Sequence, residues 1–394
     1  MAAAKKASDR PKRGTVPLRS IEEIRAGINK RAEREIVISG KQLKGKVIKR
    51  VTSGCISYDI ALGGGLPLNS WIEIIGPPSA GKTSFILQTI AANQALDPNY
   101  FVVWGASESF NVAWAEAAGC DIDRFEFIET NIMEEMYAGI IDYLEDRACD
   151  CLVLDSYPAL TPLDEDEADI GESRPGLGAR TTNKFYRKQA PASRRSLTEE
   201  DRDCLLIIVN QWRSKIGVIF GDPRITPGGQ GKDYACAIRA EFARDEWIKE
   251  GTGTDTVRVG ITMRLHTIKN KTAPNERVAG VDFYFAPNAL AVPPGCYDVA
   301  KDLYTAGVYY DIIEKAERGG GHTFLDQSWT SLAKMMASLR EDLDLQAQLR
   351  YEILRSQGLD VEPPAKHRPA KRAAPRTRAP AKKSAPVVHM TKKR

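Results

Sequence analysis

No stretch of this sequence approaches the ~20 consecutive apolar residues of a membrane-spanning helix, and the opening run MAAAKKASDRPKRG has basic residues without the apolar segment of a secretion signal. The expectation is a soluble, cytoplasmic protein with no membrane partner. Histidine is scarce, at four among 394 residues, and Cys55, Cys120, Cys149, Cys151, Cys204, Cys236 and Cys296 make no metal-like pairing with it. Cys151 and Cys204 fall in apolar segments, which predicts buried, reduced thiols. Cys149-Asp150-Cys151 reads as the entry to a strand rather than a redox pair.

Acid is missing from the two ends. Residues 365–394 hold eleven Lys or Arg and no Asp or Glu, and residues 1–14 hold five basic residues against one acid. Residues 15–364 therefore carry a net charge of −11 inside a chain of net +4. The tail segment KHRPAKRAAPRTRAPAKKSAP has too few apolar groups to offset chain entropy, which predicts disorder over 361–394, and the basic start over 1–19 reads the same way. Two readings of the tail stand: a nonspecific phosphate-binding arm whose affinity falls as salt rises, or a solubility and interaction tail.

What is present suits a large core. Hydrophobic residues make up 42 % of the chain, and its length fits one large and one smaller domain. Ser20-Ile21-Glu22-Glu23 reads as a capping box opening a helix, with Ile21, Ile24 and Ile28 on one face. Short apolar runs at Trp71 to Ile75, Phe101 to Trp104, Cys151 to Leu154, Leu205 to Val209, Val257 to Leu265 and Val281 to Phe285 alternate with helical segments. That alternation predicts an α/β fold, a largely parallel sheet covered by helices on both faces. After Pro293-Pro294 a smaller, mainly helical lobe is expected, with Trp329, Leu332, Met336, Leu339 and Leu343 as one apolar stripe and Gly358 ending the last helix. Gly319 to Gly321 reads as a turn.

Gly76-Pro77-Pro78-Ser79-Ala80-Gly81-Lys82-Thr83, continued by Ser84, fits the phosphate-binding pattern G-x-x-x-x-G-K-[ST], and it lies between a predicted strand and a predicted helix. Its glycines let backbone N–H groups close around phosphates at the positive end of the helix, Lys82 neutralises phosphate oxygens, and the Thr83 hydroxyl reaches Mg²⁺. ATP and Mg²⁺ are the predicted cofactors. Leu152-Val153-Leu154-Asp155 delivers a carboxylate from a buried strand to the same metal.

Residues 210–229, NQWRSKIGVIFGDPRITPGG, begin at the end of an apolar strand and carry Gln211, Arg213, Lys215, Ile216, Gly228 and Gly229. A core strand needs no such tail, and a loop this long is uncommon unless functional. The segment resembles the second DNA-binding loop of the bacterial RecA recombinases. Residues 169–180, DIGESRPGLGAR, resemble the first, with Pro175 where the family inserts an apolar wedge. Arg180 and Arg187 lie seven apart, on one face of a helix, where two guanidiniums can follow successive phosphates.

The resemblance spans roughly residues 45–290 and implies further roles. Gln211 would sense the γ-phosphate, Ile216 would wedge between bases, and Arg213, Lys215, Gly228 and Gly229 would hold the DNA backbone without reading sequence. Lys269-Asn270-Lys271, just after a strand, resembles the family's paired lysines that complete the neighbouring protomer's site; by pattern alone it is a charged turn. Asn111 and Trp114 fall where the family holds adenine, Trp114 having a core position as its alternative. The family's water-activating Glu aligns with Ser107, and Glu108, one residue late, fills the role if the chain bulges by one residue. Gly229-Gln230-Gly231-Lys232-Asp233-Tyr234 is one residue shorter than the family's stretch, with Asp233 where an aromatic stands at a subunit contact.

By this resemblance the chain has an N-terminal helix-strand oligomerisation arm at 20–48, a RecA-type ATPase and DNA-binding core at 49–290 and a small C-terminal domain at 291–360. The implied function is an ATP-dependent recombinase, a DNA-dependent ATPase. It would form a helical filament on single-stranded DNA and exchange strands with homologous duplex DNA. The alternatives are a RecA-like paralogue that binds ATP and DNA without strand exchange, and a hexameric helicase of the same fold.

Overall fold

The computed structural model describes residues 19–33, 35–44, 48–168, 176–193, 203–214, 223–316, 319–359, 361, 363 and 364. The basic ends expected to be disordered lie outside the described residues, apart from Arg19, Val361, Pro363 and Pro364.

The chain opens with α1 (Ile21–Ala32), which begins as expected: Ser20 Oγ accepts from the Glu23 N–H at 3.1 Å and the Glu23 carboxylate accepts from the Ser20 N–H at 2.8 Å. Its apolar face is covered only at one end: Ile21 is 73 % and Ile24 47 % exposed, whereas Ile28 is half-buried. Residues 35–39 join none of the sheets among the described residues; Asn29 ties them back through the backbone of Ile36 and Val37.

α2 (Ile56–Leu62) leads into the core, where nine strands form one sheet. These are β1 (Trp71–Ile75), β2 (Val102–Ala106), β3 (Phe125–Glu129), β4 (Cys151–Asp155), β5 (Leu205–Asn210), β6 (Ile238–Glu250), β7 (Val257–Asn270), β8 (Val278–Tyr284) and β9 (Cys296–Tyr297). Their spatial order is β9-β8-β7-β6-β1-β5-β4-β2-β3. The six from β6 to β3 are parallel, and β6 to β9 are antiparallel. All five residues of β1 are buried because both faces are covered. One face, with Ile72 and Ile74, packs on α3 (Lys82–Leu96), which contributes Phe85 and Ile86. The other, with Trp71 and Leu206, packs on α5 (Met133–Glu145) and α6 (Leu177–Ser193). α4 (Val112–Ala117) follows β2, and α7 (Gly229–Ala235) precedes β6.

Sequence periodicity missed β3 and β6. They read FEFIE and IRAEFARDEWIKE, alternating apolar and charged residues because β3 is a sheet edge and the outer half of β6 is partly open. The expected cysteine environment is present: no disulfide joins any of the seven cysteines, and all but Cys296 are buried. No helix among the described residues is long and apolar enough to cross a membrane.

The C-terminal lobe combines α8 (Val299–Tyr309), α9 (Leu332–Glu341) and α10 (Leu343–Ser356) with a small sheet of Glu314–Lys315, His322–Phe324 and Gln327–Trp329. Leu303, Phe324, Met335, Leu339, Leu349 and Ile353 form its core. The single stripe expected across 329–343 is wrong in part, since Leu332 and Leu343 are exposed. Asp342 ends α9 and caps α10, its Oδ1 accepting from the Leu345 N–H at 2.9 Å, which resets the helical phase.

Candidate nucleotide and nucleic-acid site

Residues 76–83 join β1 to α3 at the C-terminal edge of the parallel strands, where ligands bind in sheets of this kind. Gly81 has φ +89°, and a Cβ there would come within 2.4 Å of the Met263 methyl, so only glycine fits. Pro77, Pro78 and Ser79 are exposed, Ala80 is buried and Ser84 half-buried. Lys82 Nζ donates to the carbonyls of Gly76 at 3.1 Å and Pro77 at 2.8 Å. Burial lowers its pKa, opposed by Asp155 and Glu108. Thr83 Oγ1 donates to Asp155 Oδ2 at 3.0 Å across the gap between α3 and β4. Burial raises the Asp155 carboxyl to about 6; the Thr83 hydrogen bond and Lys82 act against the rise and Glu108 adds to it.

A cavity beside this contact is lined by Thr83, Leu87, Trp104, Glu108, Ser109, Phe110, Asn111, Trp114 and Asp155. Glu108 thus faces the cavity although it follows β2 one residue late. Ser107 is turned the other way, its Oγ donating to the Ser156 carbonyl at 2.7 Å and accepting from the Ser156 N–H at 2.8 Å. Glu108 Oε1 accepts from Ser156 Oγ at 2.8 Å, which fixes the carboxylate beside Asp155. Asn111 caps α4, its Oδ1 accepting from the Trp114 N–H at 3.0 Å. Trp114 is half-buried: it lines the cavity, and its indole packs edge-on against Phe283 at 6.3 Å.

Gln211 leaves β5 at this same edge, because Asn210 pairs with Ile75. Its N–H donates to Asn210 Oδ1 at 2.9 Å. Lys269 and Lys271 are elsewhere. The expected turn after Leu265 is absent: β7 continues to Asn270, running opposite to β1, so Lys269 lies on the strand itself. Lys269 Nζ donates to the carbonyls of Asp233 and, at 2.7 Å, Cys236; Lys271 Nζ donates to the Tyr234 carbonyl at 2.8 Å. These carbonyls close the C-terminal end of α7, where cations are favoured. Burial and the neighbouring Lys271 lower the Lys269 pKa. Two strands and three residues of rise separate Lys269 from Gly76, roughly 10 Å across and 10 Å along the sheet.

Of the first DNA-loop segment, Pro175 lies outside the described residues, whereas Arg180 and Arg187 are exposed on α6. Thr182, Phe185, Tyr186 and Gln189 are buried from the same helix, so the two arginines share its outer face. In the second segment Lys215 and Ile216 lie outside the described residues, and Arg213 is exposed. The segment is not irregular to its roots: Arg213–Ser214 pairs antiparallel with Arg224–Ile225. Arg224 stacks over Trp212 at 4.7 Å, and both donate to Glu241 Oε1, at 2.8 and 2.7 Å. Sequence reading missed Trp212 and Arg224, which become neighbours only once the two arms pair. Gly228 caps α7 at φ +104°, and a Cβ there would press on Lys232 and Tyr157. Gly229 follows at φ +71°.

The model of the RecA N-terminal domain family matches residues 19–289. The chain belongs to the RecA family. It is 31 % identical over 352 residues to Protein RecA of Lactobacillus delbrueckii subsp. bulgaricus, covering 86 % of this chain and 89 % of that one. It is 35 % identical over 311 residues to Protein RecA of Listeria seeligeri, covering 78 % and 84 %. Protein RecA of Staphylococcus carnosus is 33 % identical over 276 residues, covering 69 % and 72 %. Membership of the RecA family assigns this chain to DNA recombination and repair, with ATPase activity as its enzymatic class.

Proposed function

We propose that this protein assembles with ATP into a helical filament on single-stranded DNA, pairs that strand with homologous duplex DNA and exchanges strands, hydrolysis serving release. The observation that carries this reading is the split of the site over two edges of the sheet. The P-loop, Glu108 and the root of the 210–229 loop leave one edge, whereas Lys269 and Lys271 are fastened towards the other. Lysines so placed serve a neighbour's phosphates, as an arginine finger does. The exposed Ile21 and Ile24 of α1 and the segment 35–39, which joins no sheet among the described residues, suit an arm laid on the next protomer.

In this reading Gly76 to Ser84 hold the phosphates, and Asn111 with Trp114 holds the base. Glu108 holds the attacking water by accepting its proton, and Gln211 reports the γ-phosphate to the loop it begins. Thr83 and Asp155 offer the hydroxyl and carboxylate oxygens that Mg²⁺ takes, already within hydrogen-bond reach of each other. Mg²⁺ held there would supply neutralisation of phosphate charge. Arg180, Arg187, Arg213 and Lys215 contact the DNA backbone, Pro175 and Ile216 wedge at bases, and base pairing with the second strand reads the sequence.

A strand-exchange assay with ATP, beside a slowly hydrolysed analogue, tests the proposal. Exchange with either nucleotide is expected. Duplex unwinding without pairing, or ATP and DNA binding without exchange, would overturn it.

A further inference from the structure

Glu73 lies in the middle of β1, three residues before the P-loop, and is fully buried. Its Oε1 accepts from Lys232 Nζ and, at 2.7 Å, from Asn210 Nδ2; its Oε2 accepts from Arg239 Nε at 2.6 Å. Lys232 is also fully buried. Lys232 and Arg239 both donate to Thr226 Oγ1, at 2.9 and 3.0 Å, and both pair with Asp233 Oδ1, at 2.7 and 3.3 Å. Asn210 Nδ2 donates in addition to the Pro227 carbonyl at 3.0 Å.

Every partner belongs to the root of the second DNA loop or to the elements just after it in the chain. Asn210 enters the loop, Thr226 and Pro227 leave it, Lys232 and Asp233 lie on α7, and Arg239 on β6. Two carboxylates balance two cations. A buried charge cluster of this kind adds little stability over an apolar one of equal volume, whereas loss of one member is costly. Its physical consequence is therefore alignment: neither root of the loop can shift relative to β1 without breaking hydrogen bonds to the buried cluster or to Asn210. Asp233, 37 % exposed at its side chain, is the most accessible of the four.

We propose that Glu73 is a positioning residue that ties both roots of the 210–229 loop to the strand carrying the P-loop. Nucleotide state at residues 76–83 then sets the loop's grip on DNA. Asp233 supplies the second negative charge that the two cations require. The inference rests on the recombinase reading, since it assigns the loop to DNA.

The test is the ratio of single-stranded DNA affinities with a non-hydrolysable ATP analogue and with ADP, from fluorescence anisotropy of a labelled oligo(dT). Three full-length proteins are compared: wild type, Asp233→Asn, and the double variant Glu73→Gln with Lys232→Met, which removes one charge of each sign and so leaves no buried ion unpaired. Wild type should favour the ATP analogue by at least about fivefold. Asp233→Asn should reduce that preference and the double variant should abolish it, both binding fluorescent ATP as wild type does. A purely structural role would instead weaken ATP binding in step with the melting temperature, and that result overturns the inference. An unchanged preference in Asp233→Asn overturns it even if the double variant does not fold. A wild type with no nucleotide preference overturns the recombinase reading as well, which separates the two failures.

Discussion

The Thr83 hydroxyl donates to Asp155 Oδ2 at 3.0 Å, so the first turn of the P-loop helix and the end of β4 are joined directly. The same two oxygens are the proposed Mg²⁺ donors, and Thr83→Val separates the two roles of that hydroxyl. Removing it leaves a buried carboxylate short of a donor, a cost of about 1–3 kcal/mol in stability. Affinity for ATP should fall at least tenfold in the presence of Mg²⁺ and little in EDTA. Titration of a fluorescent ATP analogue under both conditions measures this. An equal loss in both would remove Thr83 from the metal's shell.

Ser107 and Glu108 are adjacent, yet the structure gives them opposite surroundings. Glu108→Gln keeps the size of the side chain and its hydrogen bond from Ser156 while removing the proton acceptor. ATP binding should persist, and DNA-stimulated turnover should fall by roughly 10²–10⁴-fold. Ser107→Ala instead removes the bridge to both backbone groups of Ser156, costing about 1–2 kcal/mol of stability with only a modest effect on turnover. Steady-state ATPase rates and thermal melts of the two variants decide. The reverse pattern would place the water at Ser107.

The β1-β5-β4 strands, the turn between β1 and α3 and the place of Asp155 at a strand end were legible because buried parallel strands are continuous apolar runs and glycines mark the turn between strand and helix. β3 and β6 were not, because their alternating charged residues reflect an edge and a partly open hairpin that only the assembled sheet defines. Glu108 was ambiguous for a different reason. Register over one residue depends on how the chain leaves β2, and the contacts that orient the two side chains, Ser107 and Glu108 with Ser156, join segments 49 and 48 residues apart. Lys269 was misplaced because the polar end of β7 reads as a turn, although its antiparallel partner is Arg239. Glu73 carried no signal at all, since one acid in an apolar strand becomes intelligible only beside Lys232 and Arg239.

If Lys269 and Lys271 complete a neighbour's site, two inactive proteins should restore each other. Lys82→Ala removes the P-loop cation, and Lys269→Ala with Lys271→Ala removes the pair supplied across the interface. Each alone should lack DNA-stimulated ATPase activity. In a random equal mixture roughly a quarter of head-to-tail interfaces join an intact P-loop to intact lysines, and activity should return in that proportion. The lysines also close the end of α7, so their removal should lower stability by about 1 kcal/mol each, a loss that mixing does not repair. Failure of the mixture to gain activity, with both proteins folded, would confine each site to one chain.

Arg180 and Arg187 project from the outer face of α6 while Thr182, Phe185, Tyr186 and Gln189 bury the opposite face, so alanine at either position should leave the fold intact. Each guanidinium that neutralises a phosphate of single-stranded DNA releases counterions, so each loss should flatten the slope of log affinity against log salt by about 0.7. The double variant should therefore lose about 1.4 from that slope, and the loss should be the same on oligo(dT) and on a mixed sequence, because phosphate contacts carry no base information. Anisotropy titrations across a range of NaCl concentrations supply the slopes. A weaker affinity with an unchanged slope would mean that the arginines act on the adjoining loop and not on phosphate. A loss confined to one sequence would mean that they touch bases.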